Sequence, residues 1–216
     1  MNWSRITHLG DAALVLPLLV AAIVGLAIQG PTQRRAAFQW ALVIATSLLL
    51  VAASKIAFHG WGTGIRRWNL TCFSGHTVSA WLAWPALLMV MAPARLRALR
   101  IALLLTGIAI AACVGWSRVS LGAHPVSEVI AGTLLGAGAA GWIIRAMRHQ
   151  ALDRRGIAML VALLLVLALL TQAGLRRPHT ERWFQKIGTA LSGAHRPVDR
   201  LRWRQTLQTE EEQCLP

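Results

Sequence analysis

The chain has 216 residues, 56% of them hydrophobic and only 14% charged, with a mean hydropathy of +0.53. That balance excludes an ordinary water-soluble domain and fits a polytopic membrane protein. Lys and Arg number 22 against 8 Asp and Glu, a formal charge of +14, but the basic residues sit in short clusters between apolar runs, a pattern that sets membrane topology or meets anionic headgroups rather than nucleic acid.

Six apolar runs are long enough to cross a hydrocarbon core of ~30 Å, which needs ~20 helical residues. They lie near 11–28, 37–58, 76–93, 98–116, 124–147 and 155–174. Each must be helical, because lipid leaves unpaired backbone amides unsatisfied. The expected fold is therefore all-α: six transmembrane helices over residues 1–174, followed by a basic, partly amphipathic tail over 175–216.

The first run follows Arg5 and ends in "GLAIQGPTQRR" without a small-x-small cleavage site, so it reads as a retained helix rather than a signal peptide. The second ends at Lys55, and the alternating glycines of "GWGTG" after it read as a flexible turn. That loop carries Arg66 and Arg67 and closes in "FSGH", residues 73–76. The fourth run ends at Ser117 and Arg118, and the fifth opens at His124. Inside the fifth, Gly132 and Gly136 have the small-xxx-small spacing that lets a neighbouring helix approach closely. Trp3, Trp61, Trp68, Trp116 and Trp142 fall at run ends, where an indole prefers the headgroup level; Trp81 and Trp84 read as core. Cys72, Cys113 and Cys214 form no pair at zinc spacing and read as unpaired thiols.

The loops holding Arg34 and Arg35, then Arg95, Arg97 and Arg100, then Arg145, Arg148, Arg154 and Arg155 form the more basic set, which the positive-inside rule puts in the cytoplasm. The second and fourth loops then face outward, into the periplasm of a Gram-negative cell, and Cys72 is expected to react there with an impermeant reagent. The tail adds Arg176, Arg177, Arg182 and Lys186 on that outer side, against the rule. Its "TERWFQKIGTALSG" places Trp183, Phe184, Ile187 and Leu191 on one face, as in an interfacial amphipathic helix; the alternative is a partly disordered basic tail. "SGAH" at 192–195 reads as coincidence.

Two loops distant in sequence thus bring Lys55, Arg66 or Arg67, Ser74-Gly75-His76, Arg118 and His124 to one membrane face. Each has a use if the target is a phosphate ester. Ser74 at a helix start leaves first-turn amides open to an anion, and Gly75 lets backbone approach an oxygen. Lys55, Arg118 and one loop arginine neutralise phosphoryl oxygens, work done by a metal elsewhere. Glu128 lies four residues after His124, on the same helix face. It is the only acid between Asp11 and Asp153, and a carboxylate within a membrane helix demands a partner and a function. Bonded to one ring nitrogen, it leaves the other ready to attack phosphorus.

These residues resemble the motifs of the type 2 phosphatidic acid phosphatase (PAP2) superfamily, K-x6-R-P, P-S-G-H and S-R-x5-H-x3-D. Ser117, Arg118, His124 and Glu128 follow the third motif, with Glu for Asp, and Ser74-Gly75-His76 the second, with Phe73 for Pro. Lys55 opens the first, but Gly62 stands where its arginine belongs, so Arg66 or Arg67 must serve. The likeness covers roughly residues 11–174. It implies a membrane lipid phosphatase in which His124 is the nucleophile, forming a phosphohistidine, and His76 protonates the leaving oxygen. Lys55, Arg66, Ser74, Gly75 and Arg118 would cradle the phosphoryl group, with no metal or other cofactor. The implied partners are a lipid bilayer and a lipid phosphate or diphosphate, undecaprenyl diphosphate first, then phosphatidylglycerophosphate or phosphatidic acid. A lipid phosphotransferase, an inactive relative and a transporter are the rival readings; against the last, the charges lie at span ends rather than at the midplane.

Overall fold

The computed structural model describes residues 2–172, 180–200 and 203; Arg176, Arg177 and Cys214 lie outside them. Every regular element among the described residues is helical, apart from short 3-10 turns and one antiparallel bridge between Ile65 and Leu70. The helices are α1 Trp3–Thr7, α2 Ala12–Ala27, α3 Pro31–Trp61, α4 Gly75–Met91, α5 Arg97–Ser120, α6 Val126–Ala146, α7 Arg154–Gln172 and α8 Thr180–Ser192.

The helix ends follow local chemistry. Asp11 caps α2, its Oδ1 accepting from the Ala13 amide at 3.1 Å. Pro31 opens α3 at a position whose amide needs no partner. That helix stops at Gly62, whose φ of 65° is the left-handed conformation favouring glycine. Residue 62, where the first motif would place its arginine, ends the helix in a backbone conformation that is strained for a residue with a Cβ. Pro125 stands just before α6, one position earlier than the first helical residue expected of it.

Helix α4 is the post around which the bundle is built, packed against α2, α3, α5 and α6. It is apolar on all sides, and Val78, Leu82, Ala83, Trp84, Leu87 and Val90 are all buried, as a central helix requires. Glycines let its neighbours close in. A Cβ on Gly107 of α5 would stand 2.5 Å from the Trp84 carbonyl oxygen, and one on Gly136 of α6 would stand 2.7 Å from Trp81 Cβ. Gly132 faces Ser74 at 3.2 Å, so the small-residue stripe of α6 serves helix packing as expected.

Each of the six expected spans coincides with a helix, but length and composition support fewer crossings. Among the described residues, α3, α5 and α6 are long and apolar enough to cross a membrane, and Trp3–Gly10 with Ala12–Ala27, bent by 41°, makes a fourth if counted as one span. Helix α4 has only 17 residues. Trp61, Trp68, Trp116 and Trp142 are exposed, whereas Trp84 is buried.

The tail segment folds back onto the bundle. Helix α8 packs against α3, and at their crossing a Cβ on Gly60 would lie 2.7 Å from the Gly188 carbonyl oxygen. Trp183, Ile187 and Leu191 remain exposed, giving α8 an uncovered apolar edge of the kind an interfacial helix carries.

Candidate active site

The turn joining α5 to α6 is tied to its own arginine. The amides of Ala123 and His124 donate to the Arg118 carbonyl at 3.0 and 3.2 Å, which holds His124 beside the last turn of α5. One helical turn into α6, Glu128 is fully buried. Its Oε2 lies 2.5 Å from Nδ1 of His124, while Oε1 accepts from the Thr71 amide at 3.2 Å and from the Thr71 hydroxyl. An ionised carboxylate here fixes the tautomer: Nδ1–H donates, and Nε2 keeps the lone pair. Burial pushes the His124 pKa below its ordinary value of 6.5; the Glu128 contact opposes that, and the charges of Arg200 and Lys55 reinforce it.

His124 lines a cavity of about 1080 Å³, together with Arg66 and Arg118 from the sequence-predicted set. The Ile65–Leu70 bridge pinches the second loop, with amide–carbonyl bonds of 2.8 and 3.2 Å, and the 3-10 turn Arg66–Trp68 sits inside it. Arg66, rather than Arg67, is among the lining residues. Arg118 donates through Nη1 to the Thr7 hydroxyl at 2.8 Å, and among the described residues its buried Nε has no partner. An unpaired guanidinium nitrogen in a buried position is costly, and an anion would satisfy it.

Ser74, Gly75, His76 and Lys55 are not among the lining residues, though they stand close by. Ser74 sits at the N-cap of α4, but its hydroxyl makes no capping bond; it accepts from Thr77 Oγ1 at 2.9 Å. The first-turn amides of α4 are left without a side-chain acceptor, the arrangement that suits an anion. The Ser74 amide reaches the Glu128 carbonyl at 3.3 Å, joining the second and third motifs directly. His76 lies within electrostatic reach of Arg118, His124 and Lys55. Lys55 is held by Glu181 of α8 in an ion pair, and its ammonium lies 5.3 Å from the Phe184 ring centroid.

The tail supplies groups that local motifs did not reveal. Glu181 accepts from Lys55 and bonds His59 Nε2 at 3.0 Å. Burial alone would raise its carboxyl, but the His59 bond and the Lys55 charge hold its pKa down to about 2. Arg200 donates to Glu128 Oε2 at 3.1 Å and to Cys72 Sγ at 3.0 Å. With Arg196, Asp199 and Trp203 it lines the same cavity as Arg66 and His124. One signal was available: His59 is four residues from Lys55 on α3, and a chain so short of acids makes Glu181 conspicuous. Cys72 and Cys113 are free thiols. Cys72 is buried, and burial with the nearby Glu128 charge pushes its pKa up, so the expected labelling from outside does not report topology. The "GWGTG" turn, read as flexible, is packed instead: a Cβ on Gly64 would stand 2.8 Å from Trp203 Cζ2.

The sequence matches the family model of the PAP2 superfamily over residues 16–152. That match points to phosphatase chemistry, and with the apolar helices it points to a lipid-type substrate in a membrane. The chain is also similar to a Klebsiella pneumoniae protein named "Uncharacterized 22.5 kDa protein in cps region", 36% identical over 203 residues, covering 93% of this chain and 96% of that protein. No solved structure matches it. Three motif segments meeting at one end of a helical bundle, within a family match over most of the chain, identify it as a member of the PAP2 superfamily.

Proposed function

We propose that this protein is an integral-membrane phosphatase of lipid diphosphates, with undecaprenyl diphosphate as its substrate. In this reading six helices cross a bacterial inner membrane and the cavity opens to the periplasm. One observation carries the chemistry: His124, oriented by a buried carboxylate, lies at a cavity that also holds Arg66 and Arg118.

The terminal phosphorus of the substrate sits against Nε2 of His124. As the N–P bond forms, the P–O bond to the bridging oxygen breaks, and His76 gives that oxygen a proton. Lipid monophosphate leaves. Water then attacks the phosphohistidine, the P–N bond breaks, and inorganic phosphate departs. Arg118 and Arg66 hold the equatorial oxygens with the first-turn amides of α4, and Lys55 adds positive charge nearby. Proton transfer by His76 contributes about 10²–10⁴-fold. A cavity of about 1080 Å³ with four arginines on its wall favours a diphosphate headgroup over a single phosphate ester.

The test is phosphate release by the purified, detergent-solubilised chain from undecaprenyl diphosphate, phosphatidylglycerophosphate and phosphatidic acid, with and without EDTA. Release is expected to be fastest from the diphosphate, to survive EDTA, and to fall by at least about 10³-fold in His124→Ala. Full activity in that variant would remove His124 as nucleophile. Transfer of the phosphoryl group to an added alcohol in place of release would make the protein a phosphotransferase.

A further inference from the structure

Arg200 enters the site from beyond residue 152, where the family match ends. Its side chain is 24% exposed, that of Glu128 not at all. Nη1 bonds the same carboxylate oxygen, Oε2, that holds His124. Nη2 bonds Cys72 Sγ, and the guanidinium carbon stands 5.8 Å from the Phe58 ring centroid. Three further contacts fix the backbone that carries it. The Val198 amide donates to the His59 carbonyl at 3.0 Å, the Trp203 amide to the Asp199 carbonyl at 2.9 Å, and the Trp203 indole to the Gly62 carbonyl at 3.0 Å. Gly62, which lacks the first-motif arginine, is thus a docking point for the segment that brings in another.

We infer that Arg200 is a positioning residue of this active site, delivered by the C-terminal segment, which fixes the Glu128 carboxylate on Nδ1 of His124. The inference rests on the phosphatase reading for its kinetic form. A buried carboxylate with only neutral donors can take up a proton or turn away as the ring gains positive character. A charged, forked donor on the same oxygen opposes both changes. It also places a cation beside His124 and keeps Nε2 unprotonated to lower pH. The other charged or titratable groups around that ring and its cavity are Lys55 and His59 of α3, Arg66 and Cys72 of the second loop, His76 of α4, Arg118 of α5, Glu128 of α6, Glu181 of α8, and Arg196 and Asp199 of the C-terminal segment. All are retained when Arg200 alone is changed.

The experiment compares full-length wild type with Arg200→Gln and Arg200→Lys, measuring kcat, KM and the pH dependence of kcat/KM on the best lipid substrate. In parallel, the His124 ring is titrated by NMR in histidine-labelled protein, its signal assigned with His124→Gln. Arg200→Gln is expected to lower kcat about 10–100-fold, the usual scale for a residue that orients a functional group. KM should stay close to wild type, and the acid limb and the His124 ring pKa should both rise. Arg200→Lys, a point charge without the fork, should keep the acid limb near wild type while recovering only part of kcat. A fall in kcat with limb and ring pKa unmoved would reduce Arg200 to a structural strap, and an unchanged kcat would overturn the inference outright. If Arg200→Gln does not fold, Arg200→Lys decides: reduced kcat with a retained limb supports the inference, and wild-type kcat overturns it. If wild type hydrolyses no lipid, the phosphatase reading falls; the ring titration still tests the contact, and an unshifted ring pKa in the Arg200 variants would overturn it.

Discussion

Arg100 and Arg118 lie on the same helix and mark opposite ends of the bundle. Arg100 is 6% exposed and donates to four carbonyl oxygens, those of Ala92 and Gln150 through Nη1 and those of Met147 and Arg148 through Nη2, at 2.8–3.3 Å. Ala92 and Met147 are the residues on which α4 and α6 end, so this cation meets the negative ends of two helix dipoles. Arg118, in the last turn of α5, stands where α4 and α6 begin, and among the described residues its hydrogen-bond partner is the Thr7 hydroxyl while Nε has none. The first arginine is saturated by the fold, and the second keeps donors in reserve. Those spare donors suit an anion at this end of the bundle.

Exchanging the burden between these two arginines gives the sharpest tests. Arg118→Ala should cost about 10²–10³-fold in kcat, the scale of a lost charge-stabilising donor, with little change in thermal midpoint. Arg100→Ala should do the reverse, removing about 2–4 kcal/mol of stability through orphaned carbonyls while the folded fraction keeps its specific activity. If activity fell with Arg100 and stability with Arg118, the contrast between the two ends would collapse. Gly107→Ala, which drives a Cβ to 2.5 Å from the Trp84 carbonyl oxygen, should cost about 1–3 kcal/mol by overpacking, read as a lower midpoint in a denaturation series.

The smallest effects concern pH. Because His124 is held below 6.5, its neutral form persists into mild acid, and the acid limb of kcat/KM should lie below 6.5; a limb above that value would contradict the burial of the ring. Glu181 has a folded pKa of about 2 against an ordinary 4.5. Its contribution to docking α8 is therefore complete above 4.5 and lost as the pH falls towards 2. Pepsin should spare the 180–200 segment at pH 4 and cut it as the pH nears 2.

The helices and the His124–Glu128 pair were legible in sequence because both depend on near neighbours. Apolar runs bounded by arginines give α2 to α7 to within a few residues, except that α3 begins at Pro31, earlier than the apolar run that marks it. A His and a Glu four apart on a helix must share a face. The partners of Lys55 were not legible, since Glu181 lies 126 residues away and reaches it only because α8 folds back on α3. Arg100 illustrates the same limit from the other side: counted as a topology-setting loop charge, it is a buried clamp whose acceptors come from the ends of two other helices. Composition told that basic residues gather there, and only the packing tells which of them is spent on backbone.

The contact between Gly60 and Gly188 brings two main chains together with no side chain between them. Such a seam leaves no space for a Cβ on either helix. A side chain at either position therefore pushes α8 off α3 and carries Glu181 away from Lys55.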